Sequence, residues 1–187
     1  MKKQRGLALM IGLSSAPNIV CHPVLFLLPM FTAIVLHQGP DYGGYFMAVN
    51  GAGGFAMVFL LSAFGFPKKR GMACIISALA SAVLTLVLSQ SIWMPIAFLV
   101  LALFGATQTM FRTTNGVLTQ ILTDDEYRVR VTSLYRIVMG MVIFFSLTIG
   151  WLADSASPRW ALATMGVVGI IISVLFLLGS KRIREQE

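Results

Sequence analysis

Apolar runs long enough to cross a bilayer recur along the whole chain, and that recurrence constrains the architecture more than any other feature of the sequence. A helix needs roughly 20 mostly apolar residues to traverse a hydrocarbon layer of about 30 Å. Runs of that kind are predicted at about 18–36, 43–66, 71–88, 94–118, 131–153 and 160–180. Barrel strands would instead be about 10 residues long and alternate in polarity. Apolar residues make up 57% of the 187 residues and charged residues 11%, so no separate soluble domain is expected. The expected fold is an all-α integral membrane protein, six transmembrane helices forming one domain over residues 1–187.

The start of the chain is apolar as well, from Gly6 to Ala16, and would make the first run too long for one straight span. Pro17, Pro23 and Pro29 are expected to break it, because the residue before a proline is pushed away from helical geometry. Gly6 to Ala16 then reads as a short interfacial or extending segment. The alternative is a cleaved signal peptide, since "MKKQRGLALMIGLSSA" has a basic start, an apolar middle and small residues at its end.

Basic residues mark the sides of the membrane. Lys2, Lys3 and Arg5 lie at the start, Lys68, Lys69 and Arg70 between the second and third spans, and Arg128 and Arg130 between the fourth and fifth. Lys181, Arg182 and Arg184 lie at the end, while the opposite side carries only Arg159. Short loops rich in Lys and Arg stay cytoplasmic, so a multi-pass inner-membrane protein with both termini inside is expected, and alternation supports an even number of spans. The net charge of +7 then reflects topology and attraction to anionic lipid, and gives no support to nucleic-acid binding.

Polar groups within apolar spans are expensive, which makes Asn50, Gln108, Arg112, Asn115 and Arg136 the candidates for a substrate path. Each has a structural alternative. Asn50 could hydrogen-bond a neighbouring helix, and Arg112 and Arg136 could snorkel to the cytoplasmic interface. His22 beside Pro23 suits either a packed histidine or a proton-coupling group. No Asp or Glu is expected in the apolar core of any span; Asp41 and Asp154 fall at outer ends. Gly44, Ala48, Ala52 and Ala56 are spaced four apart on one face of the second span, which suits either tight packing inside the bundle or a surface sliding against another unit. The 11 methionines fit bundle filling, or a promiscuous apolar cavity. Phosphate-binding glycine loops, metal-ligand clusters and nucleophile–base arrangements are absent from the sequence, so neither an enzyme nor a metal or other cofactor is expected. Cys21 and Cys74 both fall in apolar spans and imply no disulfide or metal site.

The stretch "TQILTDDEYRVRVTSLYR" at 119–136 concentrates acids and arginines between two apolar runs. Thr123 followed by Glu126 is a capping box, Asp124 and Asp125 suit the positive end of the helix dipole, and Asp124–Arg128 and Glu126–Arg130 are acid-first pairs at i,i+4. A helix starting there in water is the local reading.

The same stretch, with "GWLAD" at 150–154 and "RWAL" at 159–162, resembles the major facilitator superfamily at the boundary between helices ten and eleven and the end of helix eleven. The enterobactin-exporter and macrolide-efflux branch is the most similar, through Gln120, Glu126, Arg128, Arg130, Val131, Ser133, Leu134 and Tyr135, with Val129 where the pattern has glycine. "LLPMFTAIVLHQGPDYGGYFMAVNGAGG" resembles the passage from helix seven to helix eight, so the resemblance covers nearly the whole chain. It implies the C-terminal half of a facilitator, two inverted three-helix repeats that form a substrate site near the bilayer midplane with a second six-helix half. "GFPKKRG" at 65–71 stands where the superfamily has its glycine and basic loop, but lacks the acid; Lys68, Lys69, Arg70, Glu126, Arg128 and Arg130 are the gating-loop candidates that the resemblance implies, and a plain cytoplasmic anchor is the alternative for the first of these loops. The function implied is export of a small amphipathic or hydrophobic molecule by alternating access. The partner half would be a separate chain or a second copy. A non-transporting membrane scaffold or a truncated transporter is the alternative.

Overall fold

The computed structural model describes residues 23–39, 41–67, 69–122 and 125–179, without the side chains at 122, 125–132, 134, 135, 138, 139, 141 and 179. Among the described residues six α-helices follow one another: α1 (Val24–Ile34), α2 (Asp41–Phe64), α3 (Arg70–Gln90), α4 (Met94–Leu122), α5 (Asp125–Ser155) and α6 (Pro158–Gly179). Among the described residues there is no strand. Four of the helices, α2, α3, α4 and α6, are long and apolar enough to cross a membrane, while α1 and the Val142–Ser155 part of α5 are shorter apolar segments. The chain is an all-helical membrane protein.

Helix ends follow from local chemistry. Gly65, at φ 79°, stops α2 in the left-handed region, and its N–H donates to the Leu61 carbonyl at 2.9 Å. Ser157 and Pro158 open α6: the Arg159 N–H donates to Ser157 Oγ at 3.3 Å, and Pro158 fills the first turn, where its missing N–H leaves no bond unmade. The 11 residues of α1 start at Val24, just after Pro23, and continue through Pro29, so the expectation that Pro29 breaks the first span is wrong. Pro29 lies close against Gly43 of α2, and the Thr32 hydroxyl donates to the Pro29 carbonyl at 2.7 Å. Asn18 to His22 of the first predicted span, with Pro17, Cys21, His22 and the Gly6–Ala16 segment, lie outside the described residues.

The most extensive contacts join α2 to α4, α4 to α3 and α3 to α6, with α1 against α2 and α6, and α5 against α6. Asn50 of α2 meets Leu101 and Gly105 of α4, and Gly54, one turn on, meets Thr109, so α2 and α4 run parallel. Arg159 at the start of α6 meets Ser89 near the end of α3, and Gly166 meets Leu86, so those two run antiparallel. Both relations agree with a chain that reverses at every turn.

Two apolar cores divide the bundle along its length. One joins Leu28, Phe31, Phe46, Leu88, Leu101, Ala161 and Leu162 near the turns that precede α2, α4 and α6. The other joins Cys74, Ile75, Ala78, Phe111 and Leu118 toward the opposite end. All three tryptophans, Trp93, Trp151 and Trp160, lie exposed at the first end, as does Tyr45. Along α3, Ser77, Ser81, Thr85 and Ser89 recur every fourth residue, all buried; their hydroxyls donate to carbonyls of their own helix at 2.7, 2.8, 2.9 and 2.6 Å. Self-satisfaction of this kind lets small polar residues cross the apolar layer and keeps the α3 face thin enough for Gly166 to sit on the Leu86 backbone.

Candidate functional site: the crossing of α2 and α4

Glycine makes this crossing possible. A Cβ on Gly53 would run into the carbonyl of Ala102, and one on Gly105 into the carbonyl of Asn50. A Cβ on Gly54 would stand 2.7 Å from Thr109 Oγ1. Backbone therefore touches backbone here, the geometry that small residues permit between helices in lipid. Phe46 and Phe98 close the same contact toward the tryptophan end, edge to face with centroids 4.7 Å apart.

The crossing falls near the middle of both helices. Gln108 is the middle residue of α4, and Asn50 and Gly53 flank the middle of α2. At about 1.5 Å of rise per residue α4 is about 43 Å long, close to the full thickness of a bilayer with its headgroups. Two amides sit at that level. Asn50 is half-buried, and its Nδ2 donates a long hydrogen bond, 3.4 Å, to the Leu101 carbonyl, so the alternative of a hydrogen bond to a neighbouring helix is met. The Gln108 amide nitrogen is enclosed with no hydrogen-bond acceptor among the described residues.

Arg112 follows Gln108 by one turn on the face of α4 that carries Gly105, yet it is exposed. The face that is closed at Gly105 is thus open at Arg112. Asn115, on the same face, is buried at 3% exposure. Arg112 lies about 15 Å from the Leu122 end of α4, well inside the apolar layer. Arg136 lies about 17 Å from the Asp125 end of α5, which faces the same side, so the two arginines stand at matching depth. Arg136 is also exposed, within a face of α5 on which Gly140, Ile143, Phe144, Leu147 and Trp151 recur at three- and four-residue spacing.

Of the acids with described side chains, Asp41 and Asp154, neither shares that depth. The seven acids are Asp41 at the first residue of α2, Asp124, Asp125 and Glu126 at the turn into α5, Asp154 at the end of α5, and Glu185 and Glu187 in the tail.

Other predicted residues are placed elsewhere. Arg70 is half-buried at the first position of α3, its guanidinium 6.0 Å from the Phe66 ring centroid, and Lys69 is exposed beside it. Lys68 and the side chains of Glu126, Arg128 and Arg130 lie outside the described residues, as does the capping box at Thr123 and Glu126. The small-residue stripe of α2 departs from the packed alternative: Gly44, Ala48, Ala52 and Ala56 are all exposed, and nothing lies within 4 Å of a Cβ built on Gly44 or Gly51. The contacts that the stripe was expected to make are made by Gly53 and Gly54, on the opposite side of the helix. Gly53 and Gly54 stand beside that stripe in the sequence, whereas Gly105 and Thr109 were missed as members of the site; a glycine in the middle of the apolar α4 was the available signal. No protein-family model matches this chain, and no curated protein does.

Proposed function

We propose that the chain is one half of a facilitator-type secondary transporter, six spans in two inverted three-helix repeats, which moves a small amphipathic molecule by alternating access with a second six-helix unit. The observation that carries this reading is the exposed polar surface at mid-depth. An arginine facing lipid is penalised by about 3 kcal/mol at the centre of a span and by less nearer the interface, and a second unit enclosing a wet cavity removes that penalty for Arg112 and Arg136. The exposed small-residue stripe of α2 supports the same reading, since small residues let a second helix approach closely. The basic residues support a cytoplasmic location for both termini and for the α2–α3 and α4–α5 turns, in an inner membrane.

The test is flux. The chain is reconstituted in vesicles alone and with a complementary six-helix unit encoded beside it, and efflux of a fluorescent amphiphile is followed under an ion gradient. Flux above that of empty vesicles, only with both units present, is expected. Correctly inserted protein that moves nothing, with either composition, would leave the scaffold reading in its place.

A further inference from the structure

Three consecutive cations, Lys68, Lys69 and Arg70, lead into α3 in the sequence. We infer that Lys69 and Arg70, with the Phe66 ring beside them, form a binding site for the headgroup phosphate of an anionic phospholipid such as phosphatidylglycerol. The inference needs only that the chain crosses a bilayer, and it is independent of transport.

Charge argues for an anion. The N-terminus of a helix is its positive end, where acidic side chains are favourable and cations are not. In α3 that preference is reversed: Lys69 is the N-cap, Arg70 is the first residue, no acid stands in the first turn, and no side chain caps it. The leading amides of a helix lack partners within it, so donors and cations converge here without an acceptor of the helix's own. The sequence supplies none nearby, since no Asp or Glu occurs between Tyr42 and Thr123. Topology alone asks only that cations lie somewhere in the turn, and an acid or a serine at the N-cap would not disturb it.

Geometry and depth fit a phosphate held at the membrane surface. Arg70 is half-buried, and its guanidinium carbon lies over the Phe66 ring, 6.0 Å from the centroid. A ring holds a guanidinium by its charge and leaves N–H donors over, whose planar fork matches two phosphate oxygens. Lys69, exposed beside it, adds a second and more compact charge. The 21 residues of α3 are about 32 Å long, against roughly 30 Å of hydrocarbon, so its first residue reaches the headgroup layer, where lipid phosphates lie. Phe64, 85% exposed at the last position of α2, and Phe66, 38% exposed, offer apolar surface next to that layer. Such surface suits the upper part of an acyl chain and is of no use to a soluble phosphate, which selects the lipid as the source.

The experiment places the full chain in phosphatidylcholine nanodiscs with graded amounts of phosphatidylglycerol and counts the lipids retained on the protein by native mass spectrometry. Phosphatidylglycerol is expected to be held at least about tenfold more tightly than phosphatidylcholine, and Lys69→Gln and Arg70→Gln should each lower that preference about fivefold, the effect of one surface cation. Phe66→Leu should lower it about threefold, by removing the ring that holds Arg70. Lys181→Gln combined with Arg182→Gln removes as much charge from the end of the chain as the Lys69→Gln, Arg70→Gln pair, and should leave the preference unchanged. The lipid ratio of the unsubstituted chain decides the matter even if a variant fails to insert. Equal affinities for the two lipids overturn the proposal and hand the cations to acids of the chain itself. An equal loss in the two double variants overturns it in favour of overall charge, and displacement of phosphatidylglycerol by an excess of inorganic phosphate overturns it in favour of a soluble anion.

Discussion

Gly105 of α4 rests directly on the backbone carbonyl of Asn50 in α2, leaving no room for a side chain between the two helices. Gly53 stands in the same relation to Ala102, so the helices are held at backbone contact by two glycines facing opposite ways. Gly44 and Gly51, on the outer side of α2, have open space around them.

Gly105→Ala and Gly53→Ala should therefore each destabilise the bundle by about 1–3 kcal/mol, the range of overpacking in a close-packed interior. Gly44→Ala and Gly51→Ala should be neutral or stabilising by up to about 1 kcal/mol, through better helix propensity. Thermal unfolding in detergent micelles separates the groups. Equal melting temperatures for Gly105→Ala and Gly51→Ala would contradict the crossing.

Asn50→Ala should lower stability by only about 0.6 kcal/mol, the average for interhelical hydrogen bonds in membranes, because one long bond to the Leu101 carbonyl is removed. The same micelle melts check it. A loss several times larger would mean that the amide holds more than that carbonyl.

Arg159 is half-buried and donates from Nε to the Ser89 carbonyl at 2.9 Å, among the last carbonyls of α3 that its own helix cannot pair. Arg159→Ala should cost about 1 kcal/mol, with faster amide exchange at the α3 end. Ser157→Ala should cost a similar amount, about 1 kcal/mol, through the lost cap of α6. Unaltered exchange in both variants would show that this corner is held by apolar packing alone.

Much of the helical layout is legible in the sequence because length and apolarity fix a span without reference to any partner. The predicted 71–88 and 94–118 runs fall inside α3 and α4, and the helices extend past them by Arg70, Ser89 and Gln90 in α3 and by residues 119–122 in α4, which begin with the polar Thr119 and Gln120. Asn50 was legible as a costly residue for the same reason. The direction of the α2 stripe was not. Periodicity identifies Gly44, Ala48, Ala52 and Ala56 as one face, but the face that packs depends on the register of α2 against α4, which lies a whole helix away in sequence. Pro29 misled because propensity penalises proline in a helix, while its close approach to Gly43 of α2 appears only in the fold. Arg112 looked close to the interface on a span ending at 118; α4 continues to Leu122 and leaves the arginine deeper.

Orientation is checked by labelling. In a background lacking Cys21 and Cys74, a cysteine at Ile92, exposed in the α3–α4 turn, should react with an impermeant maleimide in intact cells, and one at Lys69 should react only in inverted vesicles. Reaction at Lys69 from outside would reverse the topology.

The three tryptophans share one end of the bundle, and the opposite end carries the basic turns. Indole rings hold to the headgroup layer through a polar tip on an apolar body, which salt hardly affects, whereas lysine and arginine hold to anionic lipid by an attraction that falls off within a Debye length. The two leaflets therefore grip this protein by different forces. Raising ionic strength, or withdrawing anionic lipid, should loosen the basic end while the aromatic end stays moored, so the bundle would tilt or shift about the tryptophan ring as its pivot. All the indole emission would then come from the leaflet that moves least.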